Sequence, residues 1–181
     1  MAERTIASRM AYQGRLISLR VDDVELATGR RARREIVEHP GAVVIVAWDG
    51  ERLAMVRQWR QAAGATLLEV PAGTRDPGEE PPATAARELA EEVGVAAATW
   101  QVGPAFFSAP GFCTERLTLF LATDLSAAPD VASPEDEDLE ASWLTLGEAL
   151  AAIDHGQVQD AKSLVAILWL ARHLDRPARE A

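Results

Sequence analysis

Glutamates are concentrated between Gly73 and Val95, and two of them, Glu88 and Glu92, are four positions apart. Residues at that spacing lie one turn apart on a helix, so both carboxylates would project to one spot. Like charges there repel each other and weaken the helix, and a bound divalent cation would reverse that effect. Mg2+ prefers a few carboxylate oxygens together with water and substrate phosphate. The pattern indicates metal-assisted chemistry at a phosphate, although a solvated helix face would carry the same charges.

The residues around these carboxylates predict the helix that would position them. Asp76-Pro77-Gly78 is a turn signal, Pro81 suits a first helical turn, and Gly94 suits a C-terminal cap. We therefore predict a helix from about Pro82 to Val93. Its apolar face would consist of Ala85, Ala86, Leu89, Ala90 and Val93, and its other face of Arg87, Glu88, Glu91 and Glu92.

The whole stretch reads G-x5-E-x7-R-E-(aliphatic)-x-E-E-x-G-(aliphatic), with nine fixed positions matched between Gly73 and Val95. This pattern is the Nudix box, and it is far more specific than a short lone motif. The chain therefore resembles a Nudix hydrolase. Such enzymes hydrolyse a nucleoside diphosphate linked to another group, so the resemblance implies the reaction class but not the substrate.

Composition limits the other function classes. The net charge of −10 argues against nucleic acid or an anionic membrane as the main partner. Hydrophobic residues make up 48% of the 181 residues, which is ample for the core of one domain with a small extension. Cys113 is the only cysteine, and the sequence has neither a signal-peptide pattern nor a long apolar run. We expect a soluble, cytoplasmic protein.

The N-terminal stretch predicts a small antiparallel sheet. Tyr12 to Val24 has strand-like apolar spacing, Thr28-Gly29 is a turn signal, and Arg33 to His39 reads as a second strand. A sheet this small is marginally stable alone, so it should pack on something else. We predict an N-terminal β-strand subdomain at residues 1–39 and the catalytic domain at residues 40–181.

The remaining elements alternate around the motif helix. Ala42 to Trp48 is an apolar run typical of a strand buried on both faces, and Asp49-Gly50 predicts a hairpin with Arg52 to Gln58. We predict an α/β fold with a mixed sheet in an α/β/α sandwich, as the Nudix resemblance implies. Further strands are predicted at Leu67–Val70, Trp100–Phe107, Leu117–Leu125 and Leu139–Leu144, a loop at Ala127–Asp138, and helices from Thr145 to near Gly156 and from Asp160 to about Leu174.

Three segments outside the box resemble the ADP-ribose pyrophosphatase group of the family. Pro110 lies 15 residues beyond Val95, where that group has a proline, and its loop SAPGFCTE resembles the group's loop. The segments RREIVEH and GQVQDAKSLVAILWL resemble a strand exchanged between subunits and the terminal helix. One residue departs from the pattern, because Ala109 replaces the usual serine before the proline.

The resemblance implies Mg2+-dependent hydrolysis of ADP-ribose to AMP and ribose 5-phosphate, with Mn2+ or another divalent cation as alternatives. Ala109 leaves open another nucleoside diphosphate sugar or an oxidised nucleoside diphosphate. A non-catalytic nucleotide-sugar sensor would be expected to have a damaged box, and this box is intact. The expected assembly is a homodimer with shared active sites.

The resemblance also implies roles for individual residues. Glu79 would join the metal cluster or only orient Arg87. From the sequence itself, Trp59 is expected to pack in the core, with stacking on a base as the alternative. The loop carboxylates Glu135 and Glu137 have a solvated acidic loop as their alternative interpretation. The metal ligands would be Glu88, Glu92, Glu91, Glu137 and the Ala72 carbonyl; the catalytic residues Glu135 as general base, Glu91 and Arg87; and the substrate-binding residues Arg60, Arg33, Glu35, Leu16, Glu115 and Gly73.

Overall fold

The computed structural model describes residues 2–128 and 139–175. The chain divides into two compact units, one formed by residues up to Gly41 with Phe106–Leu117, and the other by Ala42–Ala105 with the residues from Thr118 onward. In chain order the elements are β1 (Arg4–Gln13), β2 (Ser18–Glu25), β3 (Arg31–Glu38), β4 (Ala42–Ala47), β5 (Arg52–Arg60), β6 (Ala65–Glu69), β7 (Ala72–Thr74), α1 (Pro81–Val93), β8 (Val95–Phe107), β9 (Arg116–Ala127), β10 (Leu139–Thr145), α2 (Leu146–Asp154) and α3 (Ala161–Leu174).

The first unit is built on an antiparallel sheet in the order β1-β2-β3. The turn between β2 and β3 uses Gly29, whose positive φ of 78° suits glycine. The loop that contains Pro110 is hydrogen bonded to β3, because Val37 N donates to Phe112 O (2.7 Å) and Thr114 N donates to Val37 O (2.9 Å). The predicted N-terminal sheet is therefore confirmed, and it includes a third strand.

The predicted strand from Tyr12 to Val24 is wrong in its bounds. The chain turns between Gly14 and Ile17, where Gly14 N donates to Ile17 O (2.9 Å), so that Leu16 lies in a turn. The strand before the turn, β1, was not predicted. All of its residues are exposed, and an exposed strand does not need the alternating apolar pattern by which strands are recognised.

In the second unit, β4 lies at the centre of the packing. All six of its residues are buried, as predicted. Val43, Ile45 and Ala47 belong to a core cluster with Ala85 and Leu89 of α1. Two helices, α1 and α3, both contact β4. This packing of helices on a strand of the sheet agrees with the predicted α/β fold.

Strand pairing in the second unit differs from the prediction that β5 pairs back on β4. The two sheets have the orders β10-β5-β6 and β7-β4-β9-β8. The Asp49-Gly50 turn forms, but β4 and β5 share only an isolated bridge between Trp48 and Leu53. Because β7 and β9 occupy both edges of β4, β5 pairs instead with β6 and β10.

The two later helices begin where the sequence predicts. Thr145 and Glu148 form a reciprocal capping box on α2, and the Asp160 side chain accepts a hydrogen bond from Ser163 N on α3. The buried stripe of α3 runs through Ala166, Ile167 and Leu170, and Leu168, on another side of the helix, is 49% exposed. No helix within the described residues is both long and apolar enough to span a membrane.

Candidate active site

Helix α1 supplies the acidic side chains of the site. It begins with two prolines after Glu80 and ends at Gly94, whose φ of 73° and hydrogen bond from its N to Ala90 O (3.0 Å) form a left-handed C-cap. The predicted bounds are therefore correct to within one residue.

The prediction of the buried face of α1 is partly wrong. Glu88 and Glu92 are each only 8% exposed, whereas Ala86 is exposed. The buried residues of the helix are Thr84, Ala85, Glu88, Leu89 and Glu92. Because α1 packs against β7 as well as β4, its buried stripe is rotated toward the two glutamates, and their carboxylates are held inside the packing.

Strand β7 brings backbone groups directly against these carboxylates. Ala72 N donates to Glu92 Oε2 (3.1 Å). A Cβ added at Gly73 would lie 1.9 Å from both the Cδ and Oε1 atoms of Glu88, a distance that real Cβ atoms do not reach. Glycine at position 73 is therefore what allows the Glu88 carboxylate to approach the strand.

Arg87 organises the remaining acidic residues. Its Nε and Nη2 each lie 3.1 Å from an oxygen of Glu79, and its Nη1 lies 2.8 Å from Glu88 Oε1 and 2.9 Å from Glu91 Oε2. The hydrogen bond to Glu79 is the largest cause that raises the pKa of Arg87, and it lowers the pKa of Glu79 to about 2. This contact with Arg87 is the one that the orienting role of Glu79 requires.

The donor set suits a hard divalent cation that keeps some of its ligands from water and substrate. Within residues 2–128 and 139–175, no group of three or more His, Cys, Asp or Glu side chains is arranged to hold a metal ion. Two buried carboxylates, Glu88 and Glu92, lie beside the backbone of Ala72 and Gly73. Because Mg2+ is commonly held by one or two carboxylates plus water and phosphate oxygens, these residues fit such an ion.

Arg60 ends β5, and its guanidinium binds a buried carboxylate. Its Nε lies 3.0 Å from Glu69 Oε1 and its Nη2 lies 2.6 Å from Glu69 Oε2. Its neighbour Trp59 is 54% exposed, so the core interpretation of this tryptophan is wrong. The exposed indole donates its Nε1–H to Gln61 Oε1 (2.9 Å).

The other predicted substrate residues lie in the first unit. Arg33 and Glu35 are exposed on β3, and Arg33 Nε donates to Asp23 Oδ1 (3.1 Å). Leu16 is 53% exposed in the turn after β1. Glu115 lies at the end of the proline-containing loop, with its Oε1 3.8 Å from His39 Nε2. The remaining predicted residues, Glu135 and Glu137, lie outside the described residues.

Some residues that support the site were not predicted. Thr84 is fully buried and donates its Oγ1–H to Glu79 Oε2 (2.8 Å), while Arg75 donates to the Glu79 carbonyl through Nε (3.1 Å) and Nη2 (2.7 Å). Threonine next to the first turn of a helix was the available sequence signal. The partners of Glu69 gave no such signal, because Lys162 is 93 positions away.

Comparisons with known proteins give the family of the chain. A family model described as "NUDIX domain" matches residues 37–165, and one described as "Nucleoside diphosphate sugar hydrolase N-terminal domain" matches residues 3–37. The chain is 42% identical over 172 residues to a protein named ADP-ribose pyrophosphatase from Bacillus subtilis (strain 168), with coverage of 94% of this chain and 93% of the relative.

Two further comparisons extend this likeness. A protein named ADP-ribose pyrophosphatase from Mycobacterium tuberculosis (strain ATCC 25618 / H37Rv) is 40% identical over 167 residues, covering 91% of this chain and 81% of the relative. A crystal structure described as ADP compounds hydrolase superposes with a TM-score of 0.87 at 23% identity, covering 99% of this chain and 98% of the other. The superposition agrees with the fold described above.

Proposed function

This chain belongs to the Nudix family, and on that premise we propose that it hydrolyses the pyrophosphate bond of ADP-ribose, giving AMP and ribose 5-phosphate. Two relatives of 40–42% identity that bear the name ADP-ribose pyrophosphatase support this substrate. The observation that carries the proposal is the burial of Glu88 and Glu92 against Ala72 and Gly73. Nudix hydrolases use divalent cations, and for this chain we propose Mg2+, with Mn2+ as the alternative.

The proposed metal ligands are Glu88 and Glu92, with Glu91 and the Ala72 carbonyl as further donors. When bound, the cation would neutralise charge on the diphosphate and lower the pKa of a bound water. The chain's own residues prepare for this. Arg87 fixes the carboxylates of Glu88 and Glu91, and the Ala72 N–H fixes that of Glu92. Pre-positioned groups reduce the reorganisation needed when the transition state forms.

The proposal extends to the residues that touch the substrate and the water. Arg60 and Gly73 would bind the phosphate side of the nucleotide, and Glu115 would face the terminal ribose. Glu135 would act as general base, with Glu137 as an additional metal ligand. The loop that the sequence predicts around these two acids would deliver a carboxylate to the water after substrate binds.

We also propose that the active enzyme is a homodimer with shared sites. Residues 1–39 would form the exchanged subdomain and residues 40–181 the catalytic domain. In this arrangement Arg33, Glu35 and Leu16 would contact the adenine in the site of the other subunit. The exposure of all three side chains leaves them accessible to such a ligand.

The test is a hydrolysis panel with Mg2+ that compares ADP-ribose, other ADP- and UDP-sugars, NADH, diadenosine polyphosphates and 8-oxo-dGDP. We expect ADP-ribose to lead, and Glu92→Gln to lower kcat by about 100-fold or more because a metal ligand is lost. The matched control is Glu80→Gln, because Glu80 is exposed and its side chain makes no cap hydrogen bond.

The panel also separates the alternatives. If another nucleotide sugar is hydrolysed fastest, the Nudix reaction is retained and the substrate is reassigned. Ala109→Ser is then the first variant to test. If no compound is hydrolysed while one binds tightly, the enzyme proposal fails in favour of a sensor. If Glu80→Gln loses as much activity as Glu92→Gln, the assignment of the metal ligands is wrong.

A further inference from the structure

Glu69 is a carboxylate placed where a lone charge would be strongly unfavourable. It ends β6 and is only 1% exposed. Burial opposes ionisation of Glu69, but hydrogen bonds and the charges of Arg60 and Lys162 outweigh it and lower its pKa. A buried carboxylate that is both paired and hydrogen bonded persists where an unpaired one would not. The role of Glu69 therefore depends on its two cationic partners, Arg60 and Lys162.

The contact with Arg60 fixes the orientation of a guanidinium. Two parallel bonds join the Nε and Nη2 edge of Arg60 to the two oxygens of Glu69, at 3.0 and 2.6 Å. A bidentate pair of this kind constrains both position and plane. The Arg60 side chain is 37% exposed and that of Glu69 only 2%. Within this pair, Arg60 is the member that reaches solvent and any ligand there.

The contact with Lys162 attaches the same carboxylate to α3. Lys162 Nζ lies 2.5 Å from Glu69 Oε2 and 2.9 Å from Oδ2 of Asp160, the cap residue of the helix. Val70, which follows Glu69 at the end of β6, is also bound to α3, because its N donates to Ser163 Oγ (2.9 Å). Lys162 is thus part of a structural link, and its side chain is only 16% exposed.

We propose that Glu69 is a positioning residue for substrate binding, which holds the Arg60 guanidinium in place for the phosphate groups of the nucleotide before the substrate arrives. This inference rests on the proposed function, in which Arg60 binds phosphate. Holding the long side chain in advance removes part of the ordering that binding would otherwise require.

The test compares Glu69→Gln with Lys162→Met, using the leading substrate of the panel. Each variant removes one charged group from the same network, but only Glu69→Gln removes the carboxylate that binds Arg60. We expect Glu69→Gln to raise KM about tenfold with kcat changed less than about threefold, since binding rather than chemistry is affected. We expect Lys162→Met to melt at a lower temperature with KM within about twofold of wild type.

Two further variants keep the inference testable. Glu69→Gln combined with Lys162→Met replaces a buried ion pair by neutral groups, which proteins often tolerate, and its KM should exceed that of Lys162→Met alone. In an Arg60→Gln background, Glu69→Gln should raise KM no further. An additional increase there, or equal KM values for Glu69→Gln and Lys162→Met, overturns the inference. A wild type that hydrolyses nothing on the panel overturns the proposed function instead.

Discussion

Gly73 is the residue at which the backbone of β7 comes closest to the carboxylates of α1. A methyl group at this position would overlap the Glu88 carboxyl group and displace it. Because the overlap involves the end of a flexible side chain, the fold should survive the substitution. The substitution should therefore weaken cation binding rather than lower the stability of the protein.

We expect Gly73→Ala to weaken the apparent affinity for Mg2+ in the hydrolysis assay by about tenfold, as displacement of a supporting contact does at metal sites. Mg2+ titrations of activity measure this change. Gly147→Ala is the control, because a Cβ there has no atom within 4 Å. Unchanged Mg2+ dependence in Gly73→Ala would contradict the assignment of Glu88 as a ligand.

Glu79 gives the site a dependence of stability on pH. Hydrogen bonds from Arg87 lower the pKa of Glu79 from its ordinary 4.5 to about 2 in the folded state. Its contribution to stability is therefore full above about pH 4.5 and is lost as the pH falls toward 2. We expect the stability difference between wild type and Glu79→Gln to shrink over that range, as measured by urea unfolding.

The control for this pH series is Glu80→Gln, which removes the adjacent exposed carboxylate. Its stability should differ little from that of wild type at each pH. A difference between wild type and Glu79→Gln that stays constant from pH 6 to pH 3 would mean that the Arg87 contact does not favour the ionised carboxylate.

Of the three helices described, α2 alone has a reciprocal capping box at its N-terminus. Thr145 Oγ1 accepts from Glu148 N (3.2 Å), and Glu148 Oε2 accepts from Thr145 N (2.8 Å). We expect Thr145→Ala to destabilise the protein by about 1 kcal/mol because one cap acceptor is lost. Thermal or urea unfolding measures the loss. Thr28→Ala, at an exposed turn, is the control, and an equal effect of both variants would contradict the capping role.

Elements with strong local signals could be predicted from the sequence, and those that depend on distant partners could not. β4 and α1 were found because a continuous apolar run and a capped helix pattern need no further information. The exposed strand β1 has no core face to leave a pattern. The burial of Glu88 and Glu92 in place of Ala86 depends on β7 packing beside the helix, which helical periodicity alone does not encode.

The candidate site follows the same division. The box located Glu88, Glu92 and Arg87 in full, and the structure places them together. The contacts of Glu69 with Arg60 and Lys162 join residues nine and 93 positions apart, and no local rule selects those partners. The roles of Glu135 and Glu137 stay predictions.

For the whole molecule, the proposed sharing of sites between subunits leads to a quantitative prediction. An Arg33→Ala chain lacks a residue that it would contribute to its partner's site, and a Glu92→Gln chain lacks a metal ligand of its own site. After subunits exchange in an equal mixture, half of the dimers are hybrids with one intact site, so roughly a quarter of wild-type activity should return, as two-fold symmetry dictates. Activity before and after exchange measures this recovery.

A matched mixture of Glu88→Gln and Glu92→Gln chains controls for nonspecific recovery. Both residues lie on α1, so every hybrid site lacks a ligand and no activity should return. Absence of recovery in the first mixture, when hybrid dimers are present by mass spectrometry, would show that each subunit builds its site alone.

The short segment from Glu69 to Gly73 is attached to three different elements within a few residues. Val70 N is bound by Ser163 of α3, the Pro71 carbonyl accepts from Ile45 N of β4 (2.8 Å), and Ala72 N is bound by Glu92 of α1. A local fluctuation that exposed this segment would have to break all of these contacts together. The amide protons of Val70 and Ala72 should therefore exchange with solvent only through global unfolding. Their exchange rates would then report how often the second unit unfolds.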